Sequence, residues 1–158
     1  MDQSLLELRD SVRNTDHARY RQNVTPDIAS KCKAEGLSLM KRMAYRTSAM
    51  CEAEIPVIEP GEQIVFLRTV PKTPPIFTQE ELAELKKSKT VHAIDPINNI
   101  CPEWGVVISQ GLLGRKKVAL ETRERMKDDP EAVEFLDAAV ETIDAVLGLT
   151  AKYADKAR

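Results

Sequence analysis

The sequence predicts a mainly α-helical protein, and three observations carry that reading. Helix-start chemistry recurs: Ser4-Leu5-Leu6-Glu7 and Thr78-Gln79-Glu80-Glu81 have the capping-box pattern, and Asp129-Pro130 joins a capping side chain to a first-turn proline. Apolar residues return every three to four positions through most of the length. Composition agrees, because 42% hydrophobic and 30% charged residues suit a helix-rich globular chain and not a disordered one. A length of 158 residues predicts one domain, 1–158, with no internal boundary.

The first helix follows Ser4, with Leu5, Leu8 and Val12 on one face. Thr15 to Val24 is polar and reads as a connection. Thr25-Pro26 then opens a helix whose apolar positions include Ile28, Cys32, Leu39, Met43 and Met50, running to about Ala53. Gly36 inside it costs about 1 kcal/mol relative to Ala. Met40, Met43 and Met50 follow helical spacing and are expected in the core.

From Ile55 to Phe77 five of the nine prolines exclude a helix. Pro60-Gly61 fits the central pair of a type II turn. The apolar run Ile64-Val65-Phe66-Leu67 is expected to form one short strand, buried on both faces and without an obvious partner. A short charged helix follows Thr78, and residues 90–102 make an irregular connection. Pro102 or Glu103 opens the next helix, carrying Trp104, Val107, Ile108 and Leu112. The last helix starts at Pro130. Its apolar positions (Val133, Phe135, Leu136, Ala139, Val140, Ile143, Val146, Leu147, Leu149) make an arc too wide for a simple amphipathic helix, so it is expected to need cover.

Charge and cysteine content exclude several classes. With 23 Lys plus Arg against 25 Asp plus Glu, the net charge is −2, so no global electrostatic case for nucleic acid exists. No run of about 18 apolar residues is present for a membrane span. The N-terminus is acidic where a signal peptide is basic, and Cys32, Cys51 and Cys101 lack metal-type pairing. A cytoplasmic protein with reduced thiols is the expectation.

Local chemistry is sparse. Cys101-Pro102-Glu103 places a thiol two residues before a carboxylate, but proline followed by glutamate is helix-start chemistry by itself. His17 and His92 have no metal spacing. The segment Gly111 to Lys117 (GLLGRKK) lacks both the spacing and the preceding strand of a phosphate loop, and reads as a glycine-bearing helix with a basic end. No catalytic residue and no metal ligand is assigned.

Three segments, in order, carry a family likeness. Ile55-Pro56-Val57-Ile58-Glu59-Pro60-Gly61-Glu62-Gln63-Ile64-Val65, with Arg68 shortly after, resembles an N-terminal segment of the glycyl-radical enzymes, the pyruvate formate-lyase family, which carries a Pro-Gly-Glu-x-Ile-Val run. Pro102-Glu103-Trp104, then Gln110-Gly111-Leu112, is similar to the family's Pro-Asp-Tyr helix start. Lys152-Tyr153-Ala154 is similar to its Arg-Tyr-Ala helix.

The resemblance implies that the chain is the helical N-terminal portion of a larger α/β-barrel fold, a partial pyruvate formate-lyase-like domain. The intact enzymes are lyases or dehydratases of anaerobic metabolism that cleave C–C or C–heteroatom bonds. They carry a glycyl radical installed by a separate activating enzyme that uses S-adenosylmethionine and an iron–sulfur cluster. Both the Gly-Cys-x-Glu and the Arg-Val-x-Gly-Tyr motifs are absent from this sequence, so a fragment without catalysis of its own is expected. Its implied partners are the remainder of the subunit or another copy, plus the activating enzyme. Asn99 stands near where some members place a substrate-facing histidine, and is the one substrate-binding candidate. The rival reading is a stand-alone helical interaction domain that binds itself or a protein partner. A small enzyme using Cys101 and Glu103 is a third.

Overall fold

A computed structural model describes residues 3–14, 16, 19–22, 25–62, 65, 69–70, 72–89 and 103–158. Helix dominates them: α1 (Gln3–Asn14), α2 (Ile28–Ala34), α3 (Leu39–Ala53), α4 (Gln79–Lys87), α5 (Trp104–Arg125) and α6 (Pro130–Lys156). No strand occurs among the described residues. Ile64, Phe66 and Leu67 of the expected strand lie outside them; Val65, which is described, is half-buried and in no strand.

The starts of α4 and α6 obey the sequence chemistry. Thr78 Oγ1 accepts from the Glu81 N–H at 3.3 Å while Glu81 accepts from the Thr78 N–H at 2.8 Å, a complete capping box. Asp129 accepts from the N–H groups of Glu131 and Ala132, with Pro130 in the first turn.

Three expectations fail for local reasons. The helix drawn from Pro26 to Ala53 is two helices, because the chain turns at Glu35-Gly36 with Gly36 at φ +61°, and Ser38 caps a fresh start. A left-handed glycine ends a helix more cheaply than a helical glycine continues one. The cap of α2 is Asp27, whose side chain accepts from the Ser30 N–H at 3.2 Å, and not Thr25. Ser4 lies inside α1, and Glu7 accepts from the Gln3 side chain at 3.3 Å.

Restarting α3 at Ser38 also changes which residues face inward. Arg42, Ala44 and Met50 are buried, whereas Met40 and Met43 are exposed, against the expectation that all three methionines fill the core.

Helix α6 is the centre of a three-helix layer, packing on α3 most extensively and on α5 along another side, while α2 packs on α3. A wide apolar arc is what a helix with two neighbours requires. The cover expected for α6 is therefore supplied in large part from within the chain. A small apolar core of Ile28, Cys32 and Ile76, with Leu37, Tyr45 and Phe77 packed against it, joins α2 and α3 to the end of the proline-rich segment 54–78, whose described residues form a strap.

Candidate functional site

Two buried polar nodes fix the strap. The first is built on Arg42. Its Nε donates to the Leu37 carbonyl at 2.7 Å, and Nη1 donates to the Ile76 carbonyl at 2.9 Å. The two Nη atoms form a bidentate pair with Glu81 at 2.8 and 3.1 Å, and the guanidinium stacks 4.7 Å from the centre of the Phe77 ring. These hydrogen bonds hold the Glu81 carboxyl below the usual carboxylate range. One side chain thus joins the α2–α3 turn, the end of the strap and α4. Helix α4 has no close backbone packing with another helix, so this pair and the outer Lys33–Glu80 bridge (3.5 Å) attach it.

The second node closes the other end of the strap. Glu54, the C-cap of α3, is buried, and its Oε2 accepts from the Thr69 N–H at 2.7 Å, the Thr69 hydroxyl at 2.7 Å and the Val70 N–H at 3.2 Å. Thr69 Oγ1 in turn accepts from Ile55 N–H at 3.0 Å and from the Gln22 amide at 2.8 Å. The final carbonyls of α3 are met by cationic and amide donors: Lys152 Nζ reaches Glu52 at 2.6 Å and Cys51 at 3.3 Å, and Gln22 reaches Ala53 at 2.7 Å. An ammonium at a helix C-terminus is favoured by the dipole as well as by the bonds. Beside it Tyr153 is hydrogen-bonded to the Val57 backbone, and burial pushes its phenol above the ordinary value.

Between the nodes the Pro60-Gly61 turn forms as the sequence predicts. Gly61 has φ +84°, the Glu62 N–H donates to the Glu59 carbonyl at 3.1 Å, and the Glu62 carboxylate accepts from the Glu59 N–H at 2.9 Å. Both nodes spend their polar atoms on backbone groups and on each other, so they organise the chain and do not present an acid, a base or a nucleophile to a substrate. Cys32 is a buried thiol, and burial raises it above its usual value. Among the described residues no group of three His, Cys, Asp or Glu could hold a metal ion.

Asn99, Cys101, His17 and His92 lie outside the described residues. Glu103 is described: it is the exposed N-cap residue of α5 and makes no side-chain capping bond. The GLLGRKK segment is helical except at Gly111, where φ +65° breaks α5, and its Lys116 pairs with Asp144 of α6 at 2.6 Å. Sequence reasoning missed Arg42 and Glu54 altogether. The signal available for Arg42 was a capping-box glutamate, Glu81, which can bind a second partner; for Glu54 no local pattern exists.

Two of the surface clefts among the described residues bear on function. One, of about 360 Å³, lies between Lys33, Phe77 and the Glu80, Glu84 and Leu85 face of α4. The other, of about 510 Å³, lies where α3 and α6 begin, between Leu39, Met40 and Phe135. No helix among the described residues is long and apolar enough to cross a membrane. No protein-family model, curated protein or solved structure matches the chain. The fold and nodes define a mainly helical protein with a clamped proline-rich strap.

Proposed function

We propose that these 158 residues form the N-terminal helical portion of a glycyl-radical lyase or dehydratase of the pyruvate formate-lyase kind, and that they scaffold the enzyme without catalysing its reaction. The observation that carries the reading is a juxtaposition. Two of the three resembling segments, about one hundred positions apart, come together: Tyr153 is hydrogen-bonded to the Val57 backbone within the Pro-Gly-Glu segment, and its neighbour Lys152 holds the end of α3 just before that segment. Segments that serve one framework are expected to pack together. The third, Glu103-Trp104, opens α5, where Trp104, Ile108 and Leu113 are 62%, 82% and 70% exposed. Such exposed apolar side chains are what the bulk of an enzyme would cover.

On this reading bond cleavage belongs to a cysteine and a glycine in motifs that this sequence lacks, and the S-adenosylmethionine and iron–sulfur cluster belong to the activating enzyme. No step on this chain is assigned to either group. The coding DNA beyond the Arg158 codon tests the reading. A Gly-Cys-x-Glu segment and a terminal Arg-Val-x-Gly segment, in any frame, are expected. Their absence, with no activating-enzyme gene nearby, would favour a stand-alone helical interaction domain, the reading that the same exposed apolar residues of α5 also support.

A further inference from the structure

The cleft at the start of α3 and α6 combines apolar walls with an acidic rim. Leu39, Met40 and Phe135 are 50%, 41% and 55% exposed, and Met43 continues the patch one turn along α3. Asp129, Glu131 and Glu134 line it, and no Lys or Arg does. Capping and pairing use part of this charge: Asp129 Oδ1 accepts two N–H groups of α6, and Lys41 lies 3.9 Å from Glu134. Three carboxylates still face one ammonium. The other cleft differs, because Lys33 is one of its walls and answers Glu80.

We propose that this cleft docks a basic amphipathic helix of a partner protein. Its apolar residues would lie on Phe135, Leu39 and the two methionines, whose unbranched side chains adapt to differing shapes, and its Lys or Arg residues would meet the carboxylate rim. The volume, about 510 Å³, accepts the few side chains that one helical face presents. Charge complementarity decides the occupant, since an acidic or neutral helix would leave Glu131 facing like charge or nothing and would bring Glu134 no cation beyond Lys41. This inference is independent of the family reading.

The test uses the full chain and two fluorescent helical peptides of the same leucine pattern, one with lysine and one with glutamate on the polar face, followed by anisotropy. The lysine peptide binds with micromolar affinity, and Phe135→Ser weakens it about tenfold, as loss of a central apolar anchor does. Phe135 is already more than half exposed, so that variant keeps the melting curve of the parent. Glu131→Gln with Glu134→Gln also weakens binding and flattens its salt dependence, whereas Glu84→Gln at the other cleft leaves it unchanged. Three results would each overturn the proposal: no binding of the lysine peptide, equal binding of the glutamate peptide, or indifference to Phe135→Ser. Self-association of the parent chain that Phe135→Ser abolishes would also overturn it, by assigning the cleft to a second copy.

Discussion

Around α2, the inner side of α3 and the strap, charged side chains are buried and answered, whereas along α5 apolar side chains stand in water, as Leu39, Met40 and Phe135 do where α3 and α6 begin. Arg42 and Glu54 are 7% and 6% exposed, and among the described residues no buried side-chain nitrogen or oxygen lacks a partner. Helix α5, by contrast, has no buried residue, and α6 has only Ala138. Its ties to α6 include the exposed pairs Lys116–Asp144 and Arg123–Asp137. Buried ion pairs are costly to break from one side, and exposed ones contribute little. The two nodes are thus closed by their own groups, whereas α5 and the start of α3 and α6 offer surface.

The largest effect should come from Arg42→Met, which strands Glu81 and frees the Leu37 and Ile76 carbonyls. A loss of about 3 kcal/mol is expected in urea unfolding, within the range for breaking a buried pair. Little change would show that α4 is held by something other than this guanidinium. Glu54→Ala ranks next, at about 2 kcal/mol, because the Thr69 and Val70 N–H groups lose their acceptor in a buried place. A loss smaller than the worth of one hydrogen bond would contradict the clamp.

Acid provides a reversible version of the first experiment. Arg42 holds Glu81 below the ordinary carboxyl value, so its contribution is complete above the unfolded value of about 4.3 and is lost as pH falls through the lower folded value. The urea midpoint should fall across that interval in the parent chain and less in Arg42→Met. Parallel acid profiles would remove Glu81 from the account.

How much of this was legible depends on whether the determinant is local. The caps at Thr78 and Asp129-Pro130, the Pro60-Gly61 turn and the helix of residues 130–156 follow from neighbouring residues and could be read directly. The break at Gly36 could not, since the same glycine is compatible with a helix interior or a left-handed stop, and packing of α2 on α3 chooses between them. Nor could the exposure of Met40 and Met43, which depends on that break. The nodes join residues up to about fifty positions apart, and Lys152 reaches one hundred positions back to Glu52, beyond the range of any periodicity. Two ordinary residue types, an Arg and a Glu on helices, carry no mark of burial.

Smaller effects sharpen the contrast. Gly61→Ala should cost about 1 kcal/mol through its positive φ alone, since no atom stands within 4 Å of the added methyl position. A far larger loss would mean that the turn is packed and not merely bent. Lys116→Ala should cost under about 1 kcal/mol, in keeping with an exposed pair, by the same urea midpoint. If it matched Arg42→Met, the two regions would not differ in the way described.

Residue-resolved amide hydrogen exchange on the 158-residue chain tests the central contrast most directly. The Thr69 and Val70 amides and those of α3 should exchange only with global unfolding, while the Val107 to Gln110 amides, in the segment of α5 before the Gly111 break, should exchange orders of magnitude faster. Equal protection of both sets would contradict it, because α5 would then be as fully secured within this chain as the clamped strap.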